Sequence, residues 1–396
     1  MDGTERDRHA TPSRAASGRA RMWLRAAPIA ALALALWACG PRQTHAVEIL
    51  RANPGEAASA SITQGYRVYG LQAAKASGGN LRLDIADKTA ASPPHETLAQ
   101  LASGRADIAL VDPAHFPNVF PFSLLLHDLA LIGADPFALG GAGTEFILFH
   151  CPPCLDEFRK AGILPLAIIG KPAAYLAGRN RVAALDDMTG KRIAVPELFS
   201  RWVSRMGGTP VGPRPAGGDR EPAPVAAPDG EVVTLPDFVG RRLWTVMPHI
   251  TNLPIGTPGP IALFNVRTSA WTDLGLGDRA ALIVSAFHGL AAAMRAAQAD
   301  ETAIRTALGH QSVTFHLPNT AMAARHVTIR NENVAMVSTA AERRGLIAAS
   351  ELVERYALLV RRWSALVTKL DAGAAGLEDL LFQEIYSKID AREFGT

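Results

Sequence analysis

Cysteine is nearly absent from the 396-residue chain, with three in all, so a fold held by a disulfide framework is excluded and a hydrophobic core must do that work. Charge is sparse too, at 19% of residues against 48% hydrophobic. That balance excludes a disordered chain and describes a globular one long enough for two domains. No excess of either sign is left once the start of the chain is set aside. Of 40 basic and 37 acidic side chains, six and three fall in residues 1–38, leaving 34 of each. A nucleic-acid surface needs clustered Lys and Arg on the folded body, so no nucleic-acid partner is expected. Catalytic signatures are missing as well: there is no G-x-S-x-G elbow, H-E-x-x-H, Walker loop or complete G-x-G-x-x-G. No repeat of 20 to 50 residues is evident. The expectation is a protein that is no enzyme and carries no cofactor or metal.

What is present begins with a leader. Residues 1–38 read as a signal peptide, with an Arg-bearing flank to Arg25 and an apolar run from Ala26 to Ala38, too short for a stable membrane span. Met22 opens a more compact version of the same segment, so the start could lie there. The junction Leu36-Trp37-Ala38-Cys39-Gly40 resembles a bacterial lipobox, which makes Cys39 a lipidation site and residues 39–46 an anchored linker. Cleavage by an ordinary signal peptidase is the alternative. Either way the mature chain is expected outside the cytoplasm, in the periplasm.

From Val47 onward short apolar strands alternate with amphipathic helices, the pattern of an α/β protein with largely parallel sheet. The text predicts strands at 47–51, 81–85 and 107–111, helices at 61–75 and 95–103, then helical text to Ala161. Strands follow at 164–169, 175–177 and 192–195, with a helix at 198–206. Six prolines between Pro210 and Pro228 predict a loop or crossover over 209–230. Strands at 231–234 and 244–250 precede helical text at 273–308 and 340–388. Strand ends in such sheets face the crevice where ligands sit, which singles out Asp112, His115 and Phe116. His249, His310 and His316 read as isolated residues, and Trp202 as a packing residue.

Several segments resemble the substrate receptors of the TRAP (tripartite ATP-independent periplasmic) transporters. Leu101 to Ala109 is similar to their L-x-x-G-x-x-D-I/M step, and Asp187 to Pro196 to their D-L-x-G-x-K-x-R-V-P segment. Met206 to Val211 resembles L-G-A-x-P-V, and Asn265, Trp271 and Leu274 resemble N-x-x-x-W-x-x-L. The resemblance spans about residues 47–390. It implies a two-lobed periplasmic-binding-protein fold with mixed sheets, crossing strands and a long C-terminal helical region. On that reading 47–130 begins lobe I, 131–208 begins lobe II, and 231–396 completes both. It further implies a small-molecule ligand and TRAP-type membrane permease subunits as partners.

The chain departs from the family where its ligands are held. Relatives usually grip a carboxylate with the Arg of K-x-R-V-P, and here that position is Ala194. A second basic position falls near Ala174. Without a buried cation an acid in a closed cleft is costly, so a neutral or largely apolar ligand is expected, with Phe199 and Thr234 also in the binding set. Arg192, two positions before Ala194 and on the same side by strand alternation, is the alternative carboxylate anchor. The remaining local motif is His150-Cys151-Pro152-Pro153-Cys154. A tight disulfide between Cys151 and Cys154 is the first reading, with a redox pair, metal capture that includes His150, and free thiols as alternatives.

Overall fold

The computed structural model describes residues 47–56, 58–87, 92–213, 227–370 and 376–395. The signal peptide, the linker, Cys39 and the central part of the Pro-rich crossover lie outside those residues.

Two mixed six-stranded sheets carry the fold. The first has the order β2-β1-β3-β11-β4, with β5 also on β11. Its strands are β1 (Glu48–Asn53), β2 (Leu81–Ile85), β3 (Ile108–Val111), β4 (Ile163–Pro165), β5 (Ile168–Ile169) and β11 (Ile261–Arg267). β1, β2 and β3 are mutually parallel, and β11 runs against β3, β4 and β5. The second sheet has the order β12-β10-β6-β9-β7-β8. Its members are β6 (Ala174–Gly178), β7 (Arg192–Ala194), β8 (Thr209–Val211), β9 (Gly230–Thr234), β10 (His249–Gly256) and β12 (Thr314–His316). β6 is antiparallel to β9 and β10, whereas β7 is parallel to β8 and β9. The first sheet packs in a core that gathers Tyr66, Phe264 and Trp363, and the second has a core on each face, one with Ala174, Trp202 and Ile329 and the other with Ala177 and Phe238. The α/β class and two-lobed architecture read from the sequence are therefore present.

The lobe boundary needs correction. Ala130 and Leu131 do reach the core of the second sheet, but the chain then returns. Its next strands, β4 and β5, pair with β11 in the first sheet. The passage to the second lobe comes only at 170–173, and the passage back at 257–260, between β10 and β11. The expected strand at 244–250 is likewise displaced. Residues Leu243–Thr245 form a short helical turn and the strand begins at His249. Part of the Pro-rich stretch is strand after all: β8 contains Pro210 and sits at the sheet edge, where a missing N–H costs no ladder bond.

Helices complete both layers. α1 (Ala60–Ala76) is N-capped by Ser59, whose hydroxyl accepts from the Ile62 N–H. α2 (Thr97–Ala102) leads into β3, and α3 (Pro136–Glu145) packs inside the first core. α4 (Pro152–Lys160) and α5 (Glu197–Arg205) cover the first and second sheets. α6 (Leu276–His310) runs 35 residues, roughly 50 Å of helix. It starts in the first core at Ala281 and reaches the second lobe at Leu308, spanning both. By length and composition it could cross a membrane, yet 67% of its apolar window is buried within the protein. Much of that burial is against α1. A Cβ on Gly65 would lie 2.8 Å from the Ala293 Cβ, and one on Gly289 2.8 Å from the Tyr69 Cβ, so the two helices meet closer than larger side chains permit. α7 (Thr320–Arg343) spans in the opposite direction, from Met322 and Ile329 in the second core to Val337 and Ala341 in the first. α8 (Ala349–Val367) and α9 (Leu377–Glu384) close the first lobe. At the centre of that lobe the buried Glu145 carboxylate accepts from Trp363 Nε1 at 2.6 Å and Arg362 Nη1 at 2.7 Å.

α7 is held on the second lobe partly by a buried polar contact, in which Trp202 Nε1 donates to His326 Nδ1 at 3.1 Å. Burial, with the Arg330 charge adding to it, lowers the His326 pKa to about 4. An unfolded chain would protonate this ring near 6.5, so between those values the unfolded state binds the extra proton. The stability is complete above about pH 6.5 and is lost as pH falls toward 4. Urea unfolding at pH 7 and pH 4.5 should show a drop in the wild type that exceeds the drop in His326→Gln by ~2–3 kcal/mol. Equal drops in the two proteins would mean that the buried ring is not held neutral.

Candidate functional site

The three parallel strands of the first sheet end on one edge, the position at which open α/β sheets hold ligands. β3 is followed by Asp112, a buried residue whose Oδ1 accepts from the Ala114 N–H at 3.0 Å and so fixes the turn that carries His115 and Phe116. Its Oδ2 accepts from Lys171 Nζ at 2.6 Å. Lys171 lies in the passage from the first lobe to the second, so this pair ties a strand end to the crossing. His115 is exposed, with Nε2 4.0 Å from Asp112 Oδ2. Phe116 sits edge-on to Phe120 and packs on the first core.

Behind this cluster the return passage presses on the segment 127–131. A Cβ at Gly259 would lie 2.2 Å from His127 Nδ1, and Gly259 has φ +93°, so glycine is required there on both counts. A Cβ at Gly256 would lie 2.1 Å from the Ala130 carbonyl oxygen. His127 Nδ1 is buried and has no hydrogen-bond partner. Burial, then the Lys171 ammonium, holds that imidazole below its ordinary range, against the pull of Asp112 and Asp128.

Away from that cluster, a cavity of about 430 Å³ lies between the ends of β1 and β2 and the start of β3, lined among others by Arg51, Asn53, Asp84, Asp87, Gln100 and Arg105. Asn53 is buried and donates to Ser92 Oγ and Gln100 Oε1, each at 2.9 Å. Arg51 forks Asp107, with Nε to Oδ2 at 2.9 Å and Nη2 to Oδ1 at 3.1 Å, and Arg267 Nη2 adds a third bond at 2.6 Å. Burial pushes the Asp107 carboxyl up, but these bonds outweigh it and hold the group below the usual carboxylate range. Asn53, Lys171 and His127 were not singled out by sequence. The strand-end rule that selected Asp112 would have found Asn53, whereas nothing local marks the other two.

The second lobe divides the remaining expected residues. Ala174 pairs with Thr234 in register and lies beside Gly256 on β10. These three residues stand at the sheet end that the crossings enter. The Thr234 hydroxyl is engaged as the N-cap of the helix Leu235–Gly240, accepting from Asp237 N and donating to its carboxylate. Ala194 pairs with Glu231, and Glu231 with Ala177. Ala177 belongs to the core on the opposite face from the one containing Ala174. The two alanines thus face opposite ways and do not form one subsite. Phe199 is fully buried beside Trp202 in the second core, which makes it a packing residue. Arg192 opens β7 with its N–H on Asp229 Oδ2 at 2.9 Å. On the Ala194 face, Arg241 Nη2 donates to the buried Glu231 Oε1, while Glu231 Oε2 and Arg241 Nε have no partner. Small neighbours at 177 and 194 leave room for that pair.

Cys151 and Cys154 are disulfide-bonded and buried at the start of α4. The His150 ring contacts Glu145 at 3.4 Å, and among the described residues no group of three metal-ligating side chains occurs. His249 and His316 are not isolated, as their sequence positions implied. Nδ1 of the first lies 3.0 Å from Nε2 of the second.

No family model matches the chain. Solved structures do. A TRAP periplasmic solute-binding protein from Desulfovibrio salexigens, with the C-terminus of a symmetry mate in its ligand site, superposes at TM-score 0.65 and 15% identity, over 80% of this chain and 97% of that one. The chain has the fold of the TRAP solute-binding proteins. Another TRAP protein of that fold, from Rhodoferax ferrireducens with copurified benzoate, gives TM-score 0.62 and 16% identity over 81% and 99% of the two chains. A third, from Bordetella bronchiseptica with (R)- and (S)-mandelate, gives 0.60 and 18% over 80% and 99%.

The Asp112–Lys171 contact joins the first lobe to the passage into the second, and its partners are half-buried or buried. Removing Lys171 alone leaves a buried carboxylate unpaired. Lys171→Ala should cost roughly 2–3 kcal/mol in urea unfolding, and adding Asp112→Ala should recover part of that loss. Strict additivity of the two substitutions would show that the pair does not form.

Proposed function

We propose that the chain is an extracytoplasmic solute receptor of a TRAP-type secondary transporter that binds a small neutral or largely apolar molecule and catalyses no reaction. The observation that carries the receptor reading is the architecture. Two lobes of separate core meet through passages at 170–173 and 257–260 and through α6 and α7, leaving strand ends of both sheets at the junction. That arrangement suits closure on a ligand and hand-over to membrane permease subunits. Export by the leader and anchoring through lipid on Cys39 belong to the same reading, with the Cys151–Cys154 bond as a structural staple of the oxidising compartment.

The ligand class rests on charge. Relatives of this fold that carry benzoate or mandelate hold an acid. Here position 174 at the junction is alanine and Lys171 is matched by Asp112, while position 194, also alanine, lies on the other face of the second sheet beside the paired Arg241 and Glu231. An acid would have to displace an internal carboxylate or enter unpaired, and both are costly.

Native mass spectrometry of the purified chain, followed by thermal shift with benzoate and mandelate against uncharged alcohols and amides of similar size, tests both parts. A copurified or stabilising neutral compound is expected, with no shift from the acids. If acids alone stabilise and Arg192→Ala removes their effect, the cargo is a carboxylate anchored at Arg192. Should no small molecule of any class bind, the receptor reading itself fails.

A further inference from the structure

His249 ends the turn into β10 and His316 ends β12, an edge strand of three residues. The strands are parallel, with His249 opposite Thr314 and Thr251 opposite His316. The two histidines are therefore diagonal neighbours two residues apart in register, on one face of the sheet. Their rings are 5.1 Å apart between centroids, and the facing nitrogens, Nδ1 of His249 and Nε2 of His316, are 3.0 Å apart. Both residues are half-buried, so the rings are positioned by the sheet yet reachable from solvent.

We propose that His249 and His316 form a chelating site for a first-row divalent cation, with copper or nickel favoured. Metal–imidazole bonds of about 2.1 Å to two nitrogens 3.0 Å apart subtend about 90° at the ion. That is the cis angle of square-planar and octahedral coordination, which suits Cu²⁺ and Ni²⁺. Tetrahedral Zn²⁺ needs the nitrogens about 3.4 Å apart and would have to move the rings. Neutral imidazole is a good ligand for these ions, and in the empty protein one ring must spend an N–H on the other. When the ion binds, the donating ring takes up its other tautomer, its proton passing through solvent to the outward nitrogen, and each neutral ring gives the ion one lone pair. Among the described residues no third His, Cys, Asp or Glu joins the pair, so water completes the shell. The consequence is mechanical: the ion clips the short edge strand β12 onto β10 and, through β12, fixes the link between α6 and α7. The site is separate from the strand-end cluster around Asp112 and does not depend on the ligand reading.

Untagged, chelator-treated full chain should bind Cu²⁺ and Ni²⁺ at one site by calorimetry, and the paramagnetic resonance spectrum of the Cu²⁺ form should show two imidazole nitrogens. His249→Ala and His316→Ala should each weaken binding roughly ten-fold or more and leave one such nitrogen. The metal-free Tm of each variant reports whether it folds, and His316→Gln serves as a milder substitution. Wild-type affinity in both alanine variants, a one-nitrogen spectrum in the wild type, or no binding by the wild type would overturn the proposal.

Discussion

Backbone contact at the lobe junction constrains everything else in this protein. The return passage from the second sheet runs so close to residues 127–131 that the Thr257 N–H donates to the Ala130 carbonyl at 2.9 Å and no Cβ fits at Gly256 or Gly259. Two lobes with independent cores are therefore coupled at a point where the chain has almost no free volume. The outgoing passage adds Lys171, bonded to the strand-end Asp112. Bulk on either glycine would force the passage away from residues 127–131, so the sequence there is set by proximity.

Regular elements were legible where burial and hydrophobicity coincide. β2 runs from Leu81 to Ile85 as alternation predicted, and α1 and α5 fall within a residue or two of their expected bounds. α7 went unread for a physical reason. Its buried positions, Met322, His326, Ile329, Asn333, Val337 and Ala341, form a clean stripe at spacings of three and four. Two of the six are polar, satisfied inside by Trp202 and by the Asp128 carbonyl, so the stripe is invisible to a hydrophobic period. β10 was misplaced because Pro254 interrupts it, and the strand accommodates that residue through a register shift between Thr251 and Gly256.

The candidate site was legible only in part. Asp112 is marked by its place at a strand end, a local property. Lys171 acquires meaning from a partner 59 residues away, and His249 from one 67 residues away. Such contacts depend on sheet order, which local pattern does not encode. The alanines at 174 and 194 illustrate the same limit from the other side. Motif spacing makes them look equivalent, whereas strand alternation turns them to opposite faces of the second sheet.

Three of the buried carboxylates in the two sheets share one arrangement. Asp112 has Lys171 at the crossing, Asp107 has Arg51 and Arg267 at the far end of β3, and Glu231 has Arg241 in the second sheet. Pairing of this kind satisfies the desolvated groups before any ligand arrives, and a guanidinium already matched is a poor anchor for a second acid. The pairs belong to the resting fold, and removing the cation from any of them strands a desolvated carboxylate.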